Sequence, residues 1–362
     1  MKAQEKPPVR VLLAEDSGLM RLILKDILSQ DDRLQLIDTA ENGRQALEKI
    51  KTLDPDVVLC DLVMPDYDGV YLVKEIMRNN PKPIVLLSSL DPEDSLAVQA
   101  LMAGAIDFVG KPKIKAISNI RTIQYQINEK LIQASKIDPS KIKPKTSNQC
   151  SQVRQGTGKH RYDIICVAAS TGGPTAVELF VSQLPDDLTI PVVIVQHMPS
   201  MFLKSFRDRL QIRFPEKKIN LAMQNQGIGT GIWIAPGDTN LTLRRNTETH
   251  AVLFEYTSKT FPEYNFPSAN CLFYSVAELY GPRAIGIVLT GMGADGADGL
   301  ATIHAQGGYT IAQDKASSVV YGMPLAAFKA GATNCVLPLE EIAPKAIKQL
   351  SKPVFSQPTY LN

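Results

Sequence analysis

Short apolar runs alternate along the chain with longer segments of helical spacing. The first set is Val11-Leu12-Leu13-Ala14, Val57-Val58-Leu59-Cys60, Ile84-Val85-Leu86-Leu87 and the cluster Ile106, Phe108, Val109. Continuous rather than alternating apolar runs read as strands of a parallel sheet buried on both faces, with helices between them. Each run ends in polar residues: Glu15-Asp16 after the first, Asp61 after the second, Ser88-Ser89 after the third and Lys111 after the last. In an open α/β sheet the ligand crevice lies beyond the carboxyl ends of the strands. Three carboxylates, a hydroxyl and an ammonium are therefore expected at one sheet edge. Clustered carboxylates repel unless a cation holds them, and hard oxygen ligands select Mg²⁺.

A second set of runs lies further along the chain: Ile164–Val167, Val192–Val195, Gly231–Ile234 and Ala284–Leu289. Between them, Ala176, Val177, Leu179, Phe180 and Leu184, and later Phe202, Phe206 and Leu210, fall at helical spacing. This predicts a second α/β domain. The stretch from Ser135 to Arg161 has a different texture. It has no Leu, Phe, Tyr or Trp, and it carries seven Lys and Arg against one acid, Asp138. It cannot bury enough apolar surface to offset its ordering entropy and reads as a basic tether. The expected division is a first domain over 1–134, a flexible linker over 135–161 and a second domain over 162–355.

The second domain has its own chemistry at strand ends. Ile164–Ala168 leads into Ala169-Ser170-Thr171-Gly172-Gly173-Pro174, an exposed hydroxyl beside open backbone donors. A serine alone is a poor nucleophile and needs a base. Val192–Val195 leads into Gln196-His197-Met198-Pro199, and of the four histidines only His197 stands at a strand's carboxyl end. Ile285–Leu289 leads into Thr290-Gly291-Met292-Gly293-Ala294-Asp295-Gly296. Serine, histidine and acid thus reach one crevice from three strands, as a triad requires. The chain order Ser170, His197, Asp295 differs from that of the α/β-hydrolases, and G-x-S-x-G is missing. A competing reading takes Gly291–Gly296 as G-x-G-x-x-G, with Asp314 about 20 residues on, in a dinucleotide site. Its place near the end of the domain, and an aspartate inside a loop that would face a pyrophosphate, argue against it.

Residues 10 to about 130 resemble a response-regulator receiver domain. The resemblance implies a flavodoxin-like fold in which Asp61 accepts a phosphoryl group from a histidine kinase. It implies that Glu15, Asp16, Asp61 and the backbone carbonyl of Val63 hold Mg²⁺, that Lys111 pairs with the phosphoryl oxygens, and that Ser88 and Phe108 form a switch pair. Glu15 stands where most of the family has Asp. The motifs Ser170-Thr171-Gly172-Gly173, Gln196-His197-Met198-Pro199, Ala235-Pro236-Gly237-Asp238, Thr290–Gly296 and Gly322-Met323-Pro324 are similar to those of the chemotaxis protein-glutamate methylesterase family. That likeness implies a doubly wound, mostly parallel α/β esterase domain. It implies Ser170 as nucleophile, His197 as general acid/base, Asp295 as its orienter and the Met292 N–H in an oxyanion hole, with no cofactor for the ester chemistry. The implied substrates are glutamate methyl esters and certain glutamines of chemoreceptors. The family usually has Gly at Ala168, His at Asn240, and His-Arg-Pro-Ser-Val-Asp where Asn265–Asn270 stand. The changed side chains are expected to line the substrate face. Another protein substrate, or a binding module without full activity, remains open at this stage.

Composition adds mainly exclusions. The chain is 44% hydrophobic and 21% charged, and its net charge of +2 does not suggest nucleic acid. No apolar run approaches the roughly 20 residues of a membrane span, and the polar start lacks a signal-peptide core. Five cysteines (60, 150, 166, 271, 335) show no C-x-x-C spacing. Cys60 and Cys166 read as small buried hydrophobes, and the unpatterned set suits a reducing cytoplasm.

Overall fold

The computed structural model describes residues 7–89, 95–112, 120–141, 161–261 and 266–350. The chain divides into two compact units, Met1–Thr146 and Ser147–Asn362. Among the described residues no helix is long and apolar enough to cross a membrane.

The first unit is a five-stranded sheet of order β2-β1-β3-β4-β5, with every pairing parallel. Its strands are β1 (Val9–Ala14), β2 (Leu34–Ala40), β3 (Val57–Asp61), β4 (Ile84–Ser88) and β5 (Asp107–Gly110). Helices α1 (Gly18–Ser29), α2 (Gly43–Leu53), α3 (Gly69–Asn79), α4 (Ser95–Met102) and α5 (Ile120–Ala134) connect or follow them. Side chains start three of these helices where the chain leaves the sheet: Ser17, Asn42 and Asp68 each accept a bond from a first-turn N–H. This capping fixes where each βα loop ends. Strand β2 was not foreseen, because Leu34-Gln35-Leu36-Ile37-Asp38-Thr39-Ala40 alternates and is only partly buried at the sheet edge. Beyond α5 the chain remains packed through Ile137, which is buried although it falls within the expected tether. Residues 142–160 of that tether lie outside the described residues.

The second unit holds a seven-stranded, wholly parallel sheet of order β14-β13-β12-β6-β7-β9-β8. Its central strands are β6 (Ile164–Ala169), β7 (Pro191–Gln196), β9 (Gly231–Ile234) and β12 (Ala284–Val288). The outer ones are β8 (Ile219–Leu221), β13 (Tyr309–Gln313) and β14 (Cys335–Leu337). An antiparallel hairpin of β10 (Asn240–Arg245) and β11 (Val252–Thr257) stands apart from the sheet. Helices α6 (Gly173–Ser182), α7 (Ser200–Arg213), α8 (Ala269–Tyr280), α9 (Ala297–Ala305), α10 (Met323–Lys329) and α11 (Leu339–Leu350) complete the unit. Leu241, Leu243 and Phe254 of the hairpin join Trp233, Leu272, Phe273, Val276, Val288 and Leu300 in one core. The core thus fastens α8 between the hairpin and the sheet. Cys60 and Cys166 are fully buried thiols, as their strand positions imply.

Phe273 is fully buried on α8. Phe273→Ala is expected to cost about 3–5 kcal/mol, as emptying an aromatic core position generally does. The single tryptophan, Trp233, lies in the same core, so its fluorescence during urea unfolding of the full chain reads the loss. A change below about 1 kcal/mol would mean that α8 is not anchored as described.

Candidate functional site

In the second sheet the chain runs from β6 to β7, β8 and β9 on one side, then returns to β12 on the other side of β6 and continues to β13 and β14, so the strand order reverses between β6 and β12. A crevice opens at such a switch point. Ser170 follows β6, His197 follows β7, and Asp295 lies in the loop after β12. The ladder continues past the strands and ties these turns together. The N–H of His197 donates to Ala169 O at 3.0 Å, and that of Ser170 to Thr290 O at 3.0 Å. Ser170 is also pressed closely against the third loop: a Cβ at Gly291 would lie 2.7 Å from Ser170 Cβ and 2.3 Å from Met323 Sδ. Only glycine allows this approach. Gly322 N and Met323 N donate to Gly291 O, at 3.1 and 2.9 Å, and Asp238 accepts from Ser200 N and Oγ just beyond His197. The motifs around Gly322 and Asp238 therefore brace the turns that carry the candidate residues.

Asp295 is fully buried, and four donors converge on it. Its Oδ2 accepts from His197 Nε2 at 2.8 Å and from Ala269 N at 2.7 Å. Its Oδ1 accepts from Ser268 Oγ at 3.0 Å and from Asn270 N at 2.9 Å. Ser268 caps α8, so the carboxylate sits at the positive end of that helix. Burial alone would raise its pKa. The hydrogen bond and charge of His197 and the backbone N–H groups of Asn270 and Ala269 outweigh burial and hold it below the ordinary value. An ionised carboxylate has only acceptors, so in the neutral imidazole the proton resides on Nε2 and the Nδ1 lone pair is left for another partner.

Other expected residues fall differently. Met292 is partly exposed, one residue beyond the pinned Gly291. Asn240 and Asn270 do not line a substrate face, contrary to expectation. Both are buried, and their amides hold backbone. Asn240 Nδ2 donates to Lys259 O and its Oδ1 accepts from Ser268 N, each at 2.6 Å. Asn270 Oδ1 accepts from Gly299 N at 2.7 Å. Phe266 is partly exposed, and Asn265 lies outside the described residues. Asp314 is engaged within its own turn, accepting from Ser317 N and Oγ, and Asp295 is filled by the four donors above. Neither acid of the dinucleotide reading is therefore placed to serve a ribose or spare a pyrophosphate. The sequence reading missed the cradle of Ser268, Ala269 and Asn270. A serine just before the apolar run of α8 signals a cap, but nothing in the sequence pairs that cap with Asp295.

In the first unit, Glu15 and Asp61 are buried, and Asp16 is exposed. One carboxylate oxygen from each lies within 4.8 Å of the other two. Lys111 Nζ donates to Asp61 Oδ2 at 2.7 Å and to Glu15 Oε1 at 3.2 Å. Glu15 Oε2 lies 3.0 Å from the same ammonium but outside hydrogen-bond geometry, so it remains without a hydrogen bond. Burial raises the pKa of Glu15, and the charge of Asp61 adds to this. Burial raises that of Asp61 too, against the pull of Lys111. Burial works against the charge on Lys111, but Asp61 and Glu15 outweigh it and hold its pKa above the ordinary value. Ser88, at the end of β4, accepts Lys111 N through its carbonyl at 2.7 Å. Phe108 is buried in β5, with Lys130 Nζ 5.2 Å from its ring centroid.

Two family models match the sequence: CheB methylesterase over residues 165–346 and response regulator receiver domain over residues 11–121. The chain is 40% identical over 344 residues to the protein-glutamate methylesterase/protein-glutamine glutaminase 1 of Hahella chejuensis, covering 92% of this chain and 94% of that one. The correspondingly named protein of Sulfurimonas denitrificans is 37% identical over 352 residues, with 95% and 99% covered. That of Thermotoga maritima is 34% identical over 345 residues, with 94% and 98% covered. The crystal structure of the Thermotoga maritima CheB methylesterase catalytic domain aligns at 34% identity with a TM-score of 0.49, over 52% of this chain and 98% of that one.

Asp295→Asn puts an amide where four donors need acceptors and is expected to cost about 1–3 kcal/mol of stability near neutral pH. The wild-type carboxylate has a lowered folded pKa, so its stabilisation is complete above the ordinary value of 3.8 and is lost as pH falls through the folded value. The stability gap between wild type and variant should therefore narrow on the acid side. Urea unfolding followed across pH tests this, and a gap independent of pH would contradict the assignment.

Proposed function

Because the chain belongs to the CheB methylesterase family and carries a response regulator receiver domain ahead of the catalytic one, we propose that it hydrolyses glutamate methyl esters on chemoreceptors under control of receiver phosphorylation. Glutamine deamidation on the same substrates is the same acyl chemistry with ammonia as leaving group. The observation that carries the catalytic reading is the His197 Nε2–Asp295 Oδ2 bond beside Ser170 at the switch point of the sheet. Nδ1 of His197 takes the proton of Ser170 Oγ as that oxygen attacks the ester carbonyl carbon. The negative charge moves to the carbonyl oxygen, where the Met292 N–H is the candidate donor. Collapse expels methoxide, which leaves as methanol with the proton held by His197. Water then adds to the acyl-serine with His197 again as base, releasing the glutamate and restoring Ser170. Asp295 stays ionised throughout and supports the imidazolium. Asn240 and Asn270 are buried structural groups, so these two departures from the family pattern give the binding-module alternative no support.

In the receiver, Asp61 is the candidate phosphoryl acceptor and a histidine kinase the candidate donor. The donor set fits a hard divalent cation: three carboxylates against one ammonium, with a buried Glu15 oxygen left without a hydrogen bond. Glu15, Asp16, Asp61 and the carbonyl of Val63 would hold Mg²⁺, which would neutralise charge on the transferring phosphoryl group. Lys111, now on the Asp61 and Glu15 carboxylates, is the candidate partner of the phosphoryl oxygens. Ser88 and Phe108 are the candidate switch pair. A cytoplasmic location suits these substrates and this donor.

Ser170→Ala should lower methanol release from methyl-esterified receptor by at least about 10³-fold while leaving Trp233-monitored unfolding unchanged. Turnover near wild type would remove Ser170 from the mechanism. With Mg²⁺ and a small phosphodonor, label should appear on Asp61 and be absent from Asp61→Asn, as mass spectrometry of the intact chain would show. Label retained in that variant would place the acceptor elsewhere.

A further inference from the structure

Gln196 is the last residue of β7 and is almost wholly buried, with 1% of its surface exposed. Its Nε2 donates to Ser170 O at 3.0 Å and reaches His197 O at 3.5 Å, the outer limit of a hydrogen bond. One amide thus spans the turn that carries the candidate nucleophile and the turn that carries the candidate base. Its Oε1 is buried and has no hydrogen-bond partner among the described residues. A buried polar atom without a partner is destabilising, and an apolar side chain would fill such a site without that penalty. The neighbouring residue accommodates the amide: a Cβ at Gly173 would lie 2.1 Å from Gln196 Oε1. Gly173 opens α6 without positive φ, so its lack of a side chain serves this contact and not a backbone conformation.

We infer that Gln196 is a positioning residue of the esterase reaction, holding the Ser170 turn at its working distance from His197 through the Nε2–Ser170 O bond. The inference rests on the triad reading above. The amide touches neither substrate nor reacting atoms. It acts on where Ser170 Oγ stands relative to the imidazole, and displacement of reacting groups by about 1 Å costs up to 10²-fold in rate. Loss of the amide should therefore lower kcat and leave substrate binding intact.

The test is a double-mutant cycle on the full chain, assayed by methanol release from methylated receptor and normalised to folded protein by Trp233 fluorescence. Gln196→Ala removes the amide. Gly173→Ala keeps it but displaces it. Each should lower kcat about 10- to 100-fold with KM within about twofold, and the double variant should be no slower than the slower single one. Unchanged kcat in either single variant, or losses that multiply in the double, would overturn the inference. If Gln196→Ala does not fold, kcat of Gly173→Ala alone decides. Ser170→Ala in the same assay separates the two levels: activity retained there defeats the triad reading, whereas activity lost there with Gln196→Ala at full rate defeats only the role of Gln196.

Discussion

A carboxylate without water is costly unless donors surround it, and the catalytic unit is arranged around one such group. Asp295 is buried completely, and the backbone N–H groups at the start of α8, the Ser268 hydroxyl and the imidazole of His197 together offset its desolvation. Each donor is held from further away. Asn240 at the start of the hairpin accepts Ser268 N, and Asn270 links α8 to the first turns of α9. The hairpin, two helices and the switch point of the sheet thus meet at a single charge. Its consequence is that His197 is held through Nε2, which leaves Nδ1 outside the Asp295 bond.

The receiver buries carboxylates too, with the opposite electrostatic result. Among the described residues Asp61 accepts from one ammonium and through a long 3.4 Å contact from Val63 N, and from no helix start. Burial therefore wins and raises its pKa, as it does for Glu15. Asp295 is a finished site, satisfied in place and suited to a fixed supporting role. The Glu15–Asp61 pair is an unfinished one, left with surplus negative charge that a cation would relieve. Two acids of similar burial are thereby fitted to different work, distinguished by the local supply of donors and by the negative charge of Asp16 beside Asp61.

The features most legible in the sequence were those that strand burial and strand ends impose. Continuous apolar runs marked β1, β3, β4, β6, β7, β9 and β12, and the polar residues after them marked both crevices. The edge strands β2, β8 and β14 were not legible, being short or half-buried. The hairpin escaped notice because its core residues alternate with polar ones and it belongs to neither sheet. Asn240 and Asn270 show the other limit. Departures from a family pattern suggested a changed substrate face, whereas three-dimensional packing turns both amides inward to hold backbone. Sequence spacing also could not reveal that a helix start some 25 residues before Asp295 supplies most of its donors.

The central claim is that Asp295 fixes the tautomer of His197, leaving Nδ1 as the base for Ser170. Nitrogen-15 NMR of the imidazole in the full chain, at a pH where the ring is neutral, tests this most directly. The account predicts a protonated Nε2 with a hydrogen-bonded N–H signal and an unprotonated Nδ1, with that preference lost in Asp295→Asn. A ring protonated on Nδ1 in the wild-type protein would contradict it, since Nε2 could then neither donate to Asp295 nor leave Nδ1 free to accept the serine proton.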